Sequence, residues 1–229
     1  RMAISCSISL RRSPKPGALT ATTFSVPRRQ LASGAFDSLS HMMETYFSEP
    51  DEQNVSDEIT EALMRNVILN TRLAMKNPGD YTARSNLLWE SALSENRLIK
   101  LGKKCDFACH LMAHQLGAYT DCNHGQAVAV LHPAYYRHIY KDGLEKFARF
   151  ARNVWEIPAE GKSEAELALA GVDALEGFIR EIGLPADLRE LGIKDRKELK
   201  EIAESCHYSP GSYRRLDPDE ILEIFQEVF

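Results

Sequence analysis

"CDFACHLMAHQLGAYTDCNHG", residues 105–125, gathers three histidines and three cysteines in a 229-residue chain that holds only seven His and five Cys. Phe107, Leu111 and Leu116 fall at helical spacing, so the stretch reads as a helix that stops near Gly117. On such a helix His110 and His114, four residues apart, lie on one face about one turn from each other. The spacing matches the zincin pair, but Leu-Met-Ala stands between the histidines. With no Glu after the first His there is no general base, and a metalloprotease is disfavoured. One segment rarely completes a metal site, so the stretch directs attention to what joins it.

Upstream, "FDSLSH" repeats the geometry, with Asp37 and His41 at i, i+4. Downstream, His124 follows a short loop and precedes Gly125, where another helix starts. Asp37, His41, His110 and His124 could therefore converge from three segments of a helical bundle, a common way to build a metal site. The i, i+4 pairs also read as ordinary helix-surface pairs. A rival set, Cys105, Cys109 and Cys122 with His124, would make a Cys₃His zinc cluster, but its spacing lacks the tight CxxC knuckle of structural zinc sites. As small apolar side chains, the cysteines read as packing.

Working outward, the chain reads as helix after helix from residue 34. Val55, Ile59, Leu63, Val67 and Leu73 mark a helix over 51–76, ended by "NPGD" (77–80). Further helices are expected over 81–98, 125–140 (kinked at Pro133), 143–155, 162–183, 195–205 and 217–228. Ser163 with Glu166 three residues on forms a capping box, and Asp217-Pro218 makes a helix start. Strand-like runs occur only at 4–10 and 18–26. The expectation is an all-α helical bundle domain over 25–229, preceded by a short extended basic segment over 1–24.

Six Lys/Arg and no acidic residue precede Asp37. That composition marks an organellar transit peptide. The favoured reading is instead a surface strand and linker, because "SVPRRQLASGAFD" runs directly into the first helix. A net charge of −5 argues against partners such as nucleic acid or an anionic membrane surface. The longest uncharged stretches, 107–120 and 122–136, fall short of the ~20 apolar residues of a membrane helix. An odd number of cysteines outside any short secreted scaffold implies reduced thiols and a cytoplasmic setting.

"GAFDSLSHMMETYF", then some 70 residues later "HLMAHQLGAYTDCNHG", resembles the iron-containing alcohol dehydrogenase family, and within it the NAD(P)-dependent butanol dehydrogenase-like branch. The resemblance covers roughly 24–229, with "LLWESALSENRL" and "FARFARNVWEI" flanking the His-rich helix. It implies the C-terminal, dehydroquinate synthase-like α domain of such an enzyme. It also implies Asp37, His41, His110 and His124 as ligands of a catalytic metal, with His114 beside substrate and nicotinamide rather than on the metal. Glycerol dehydrogenases and dehydroquinate synthases are less similar, because they use three protein ligands.

One carboxylate and three imidazoles suit Fe²⁺ or Zn²⁺ better than Mg²⁺ or Ca²⁺. Four protein ligands would close a tetrahedral zinc site, so room for substrate favours Fe²⁺. The implied activity is reduction of a small aldehyde or oxidation of a small alcohol, with NAD(P)H as hydride carrier and His114 orienting substrate or relaying a proton. No two glycines stand closer than six residues, so G-x-G-x-x-G and related phosphate loops are absent. The expected chain is thus the metal-binding half of a dehydrogenase, its nucleotide-binding domain missing. The alternative is a non-catalytic metal-binding helical module or a truncated product. A face left uncovered, including Phe107 or its neighbours, would favour a homo-oligomer.

Overall fold

A helix that turns apolar side chains outward on every side has to sit at the centre of a bundle, and two segments of this chain do so. The computed structural model describes residues 20–50, 52, 54–207 and 209–229. The first central helix is α1 (Arg28–Tyr46). It is followed by α2 (Val55–Lys76), α3 (Tyr81–Glu95) and α4 (Ala108–Thr120). The second central helix is α5 (His124–Ile139). After it come α6 (Leu144–Asn153), α7 (Glu164–Glu181), α8 (Lys197–Ser205) and α9 (Pro218–Glu227). Among the described residues there is no strand, only an isolated bridge between Glu49 and Lys104. The fold is all-α.

From Ala32 onward α1 buries most of its circumference, and α5 is buried at every position from Gly125 to Tyr136. The two helices pack on each other. Around them, α2 and α3 lean on α1, while α4, α7 and α9 lean on α5. The α6–α7 hairpin and the α8–α9 pair close the outside. An aromatic knot ties α1, α5 and α6 together. Phe47 stacks on Phe147 at 4.0 Å, with Tyr136 and Phe150 edge-on to it. Each such ring contributes on the order of 2–3 kcal/mol by leaving water.

The helix starts are chemical. Asn54, Asp80 and Asn123 cap α2, α3 and α5 by accepting from the third backbone N–H beyond the cap. Ser163–Glu166 and Asp217–Glu220 form reciprocal capping boxes at α7 and α9. Pro133 lies inside α5, which continues to Ile139.

Three boundaries differ from the pattern reading. The strand-like run at 18–26 is helical where described: 20–22 lie in a helical turn and Thr23–Ser25 in a 3-10 helix. Thr23 Oγ1 donates to the Thr20 carbonyl at 2.7 Å and Ser25 Oγ to that of Thr22. Local side-chain bonds override the β-propensity of these threonines. The other strand-like run, 4–10, lies outside the described residues. Helix α1 begins at Arg28, behind Pro27, whose fixed φ suits a helix entrance. Helix α4 passes through Gly117 and ends at Asp121, which adopts the left-handed conformation (φ 55°).

One buried carboxyl gives a pH-dependent prediction. Glu90 on α3 is 5% exposed; Asn70 on α2 donates to its Oε1 at 2.9 Å, and Oε2 has no hydrogen-bond partner. Burial pushes this carboxyl up to about 7, with the Asn70 bond opposing. The folded form therefore keeps its proton where the unfolded chain has released it. Glu90 is thus neutral in its effect at low pH and penalises folding as pH rises from about 4.5 towards 7 and above. Glu90→Gln is expected to raise stability by on the order of 1–2 kcal/mol at pH 8. The gain should vanish at pH 4, read by urea unfolding at both values.

Candidate metal centre

The site lies where α1 meets the α4–α5 corner. Asp37 and His41 point from one face of α1, and His110 sits in the first turn of α4. The left-handed Asp121 turns the chain so that His124 opens α5 against α1. Ser33 Oγ donates to Asn123 Oδ1 at 2.5 Å, so the α5 cap is itself tied to α1. Gly125 permits this approach: a Cβ there would collide with the Ser33 carbonyl.

Four atoms converge. Asp37 Oδ1 is 3.4 Å from His124 Nε2, 3.5 Å from His110 Nε2 and 4.0 Å from His41 Nε2. His110 Nε2 and His41 Nε2 are 3.1 Å apart. Among the described residues, Asp37, His110 and His124 form the one group of three whose ligand atoms all lie within 4.8 Å of each other. His41 reaches the same volume from the turn below. Donors that sit about 2.0–2.2 Å from a shared ion stand roughly 3 Å or more from one another, as these do.

The proton arrangement shows what the cluster lacks. His110 Nδ1 lies on Glu44 Oε2, and His41 Nδ1 lies 2.6 Å from Glu95 Oε1. A ring nitrogen that close to a carboxylate carries hydrogen, which leaves both Nε2 lone pairs facing each other and Asp37 in neutral rings. Asp37 Oδ1 is buried with no hydrogen-bond partner. A carboxylate and two opposed lone pairs in one small volume require a cation or a proton. The residues present therefore fit a divalent metal of the Fe²⁺ or Zn²⁺ kind.

Without a metal, a proton takes that place. Burial disfavours a cationic His110, but Glu44 and Asp37 outweigh it and push its pKa up to about 10. Burial likewise opposes ionisation of Asp37, yet the adjacent His110 and His124 hold its carboxyl well below the usual range. His114 stacks on His124 with ring centroids 4.9 Å apart. Burial, then His124 and His110, lower its pKa, so it stays neutral near pH 7.

Glu44 and Glu95 are missing from the pattern-based set. Glu44 is fully buried on α1. Its Oε1 accepts from the backbone N–H of Cys109 at 2.7 Å and of His110 at 3.3 Å. It thereby caps α4, whose N-cap Phe107 offers no side-chain cap. A lone acid in the apolar run "HMMETYF" is the available signal for it; Glu95 has none. The rival cysteine set does not assemble among the described residues. Cys109 is buried with Sγ directed at the Val128 carbonyl, and burial raises the pKa values of Cys105, Cys109 and Cys122. Phe107 is half-buried between the His41 and His110 rings, whereas Leu98 and Leu101 nearby are exposed.

Comparison with known proteins gives the site its context. Residues 31–229 match the family model for the Fe-containing alcohol dehydrogenase family, C-terminal. The chain is 38% identical over 221 residues to NADH-dependent butanol dehydrogenase A of Clostridium acetobutylicum, covering 94% of this chain and 57% of that one. It is 30% identical over 171 residues to the NADPH-dependent aldehyde reductase YqhD of Escherichia coli, covering 75% and 44%. Among solved structures, the NADH-dependent butanol dehydrogenase A of Thermotoga maritima superposes with a TM-score of 0.83 at 28% identity, covering 91% and 54%. The chain spans just over half the length of these butanol dehydrogenases. Among the described residues, no helix is long and apolar enough to cross a membrane.

Proposed function

This chain belongs to the Fe-containing alcohol dehydrogenase family, and from that premise we propose that it is the metal-binding half of an NAD(P)-dependent alcohol dehydrogenase or aldehyde reductase. The supporting observation is the convergence of Asp37 Oδ1 with the Nε2 atoms of His41, His110 and His124 on one small volume. These four side chains hold Fe²⁺ or Zn²⁺. When bound, the ion supplies Lewis acidity towards the oxygen of a small alcohol or aldehyde.

His114 has a separate task. It lies one turn along α4 from His110, exposed, with no carboxylate partner among its ring contacts and a pKa held low. A neutral imidazole there accepts a hydroxyl proton during oxidation and returns it during reduction. The hydride partner is a nicotinamide, as it is for the NADH-dependent butanol dehydrogenase and the NADPH-dependent aldehyde reductase that this chain resembles. No glycine-rich phosphate loop lies within these 229 residues to hold it.

Two measurements test this. Metal analysis of protein purified without chelator should find about one Fe²⁺ or Zn²⁺ per chain, as a single four-ligand site requires. Protein that stays metal-free after incubation with either ion overturns the reading. NADH and NADPH fluorescence titrations then separate a catalytic half that carries its own nicotinamide contacts from a metal-binding helical module.

A further inference from the structure

The turn that leaves α3 folds back over the site; Ile99 anchors it in the core, while Glu95 and Lys100 lie beside the metal-site side chains. Glu95 is the last residue of α3, and its carboxylate is 50% exposed. Its Oε1 lies 2.6 Å from His41 Nδ1, close in distance although not aligned as a hydrogen bond. Its Oε2 lies 3.5 Å from Lys100 Nζ, which also sits 5.0 Å above the Phe107 ring. Phe107 packs against the His41 ring with centroids 5.5 Å apart. The loop reaches this arrangement through Arg97, whose φ of 71° is a left-handed conformation that disfavours any residue with a Cβ. The Lys100 N–H donates to the Arg97 carbonyl at 3.1 Å, closing the turn.

We propose that Glu95 is a positioning residue for His41, held in place by Lys100, and that it makes the grip of this ligand adjustable from solvent. The proposal rests on the metal reading of the cluster. The Glu95 carboxylate, 2.6 Å from His41 Nδ1, draws the ring proton to that nitrogen by its charge, which favours the tautomer whose Nε2 lone pair faces the site. Glu44 does the same for His110, but the two anchors differ in kind. Glu44 is sealed in the core, whereas Glu95 stands half in water, where dissolved ions screen it. His41 is therefore the ligand whose hold on the metal weakens first as salt rises.

The test uses the full 229-residue chain and Co²⁺ as a spectroscopic probe, competed against a chromophoric chelator. Glu95→Ala should lower Co²⁺ affinity about 10–100-fold, the usual effect of losing such a carboxylate. Glu95→Gln, whose amide oxygen keeps only a partial negative charge beside Nδ1–H, should recover part of it, and Lys100→Ala should show a smaller loss. The Co²⁺ visible spectrum of Glu95→Ala should shift, and the wild-type affinity should fall with NaCl more steeply than that of Glu95→Ala. His41→Ala combined with Glu95→Ala should bind no more weakly than His41→Ala alone, since Glu95 acts through His41. Additive losses in that pair overturn the proposal. So does a Glu95→Ala protein that binds Co²⁺ like wild type but melts earlier without metal, which would make the contact merely structural. Wild-type protein that takes up no Co²⁺ removes the metal reading itself, and this proposal with it.

Discussion

Replacing His110 with Ala is expected to abolish metal binding, whereas His114→Ala leaves it intact. His110 Nε2 is central to the cluster, 3.1 Å from His41 Nε2 and 3.5 Å from Asp37 Oδ1. His114 shows only ring-to-ring contacts, to His110 and His124. Loss of the His110 ring also leaves Glu44, a fully buried carboxylate, without its cationic partner. Stripping one member from a buried pair costs about 3–5 kcal/mol, so part of the effect would be on the fold. His124→Ala separates the two effects. His124 is 36% exposed and pairs with Asp37 rather than with the buried Glu44, so its removal should abolish binding while the metal-free protein melts near wild type. Equal losses from His114→Ala and His124→Ala, by chelator competition, would contradict the division of roles.

The second large effect is expected at Glu44, and its two variants separate stability from tautomer. Glu44→Ala removes the cap from α4 and the partner of His110 together, an expected loss of about 3–5 kcal/mol. That is a large share of the 5–15 kcal/mol that typically holds a domain. Glu44→Gln keeps an oxygen for the Cys109 and His110 backbone N–H groups, so its cost should be nearer 1–2 kcal/mol. Its amide N–H₂ then faces His110 Nδ1, which must become an acceptor, and the ring proton moves to Nε2. A proton there points at Asp37, where the metal would sit. Glu44→Gln should therefore bind metal as poorly as Glu44→Ala while unfolding at clearly higher urea. Wild-type affinity in Glu44→Gln would sink the tautomer argument.

The helices were legible wherever periodicity and a cap agreed. Ser163 with Glu166 and Asp217 with Pro218 mark α7 and α9 at their observed starts, and "NPGD" ends α2 where the chain turns. Legibility failed where a local residue type was given too much weight. Gly117 does not end α4, because Asp121 takes the left-handed cap four residues later, and the threonines at 20–23 turn helically through their own hydroxyl bonds. The gathering of Asp37, His41, His110 and His124 could be anticipated from spacing and resemblance, since each motif fixes a face or a helix end. Glu44 and Glu95 could not be so readily. Their role depends on which way α1 is rotated and on where the loop after α3 folds back. A partner 54 residues away leaves no period in the sequence.

The burial of α1 on nearly every side bears on how the chain is made. Its apolar surface, which includes Phe36, Leu39, Met42, Met43 and Tyr46, packs in part on α5. Helix α5 leaves the ribosome some eighty residues later. At typical synthesis rates of about 5–20 residues per second, α1 waits roughly 4–16 s for this central partner. During that interval α2 and α3 are the main helices available to shelter it. The nascent chain thus carries a greasy, half-covered rod until α5 emerges, and in that window holdase chaperones would find a binding stretch.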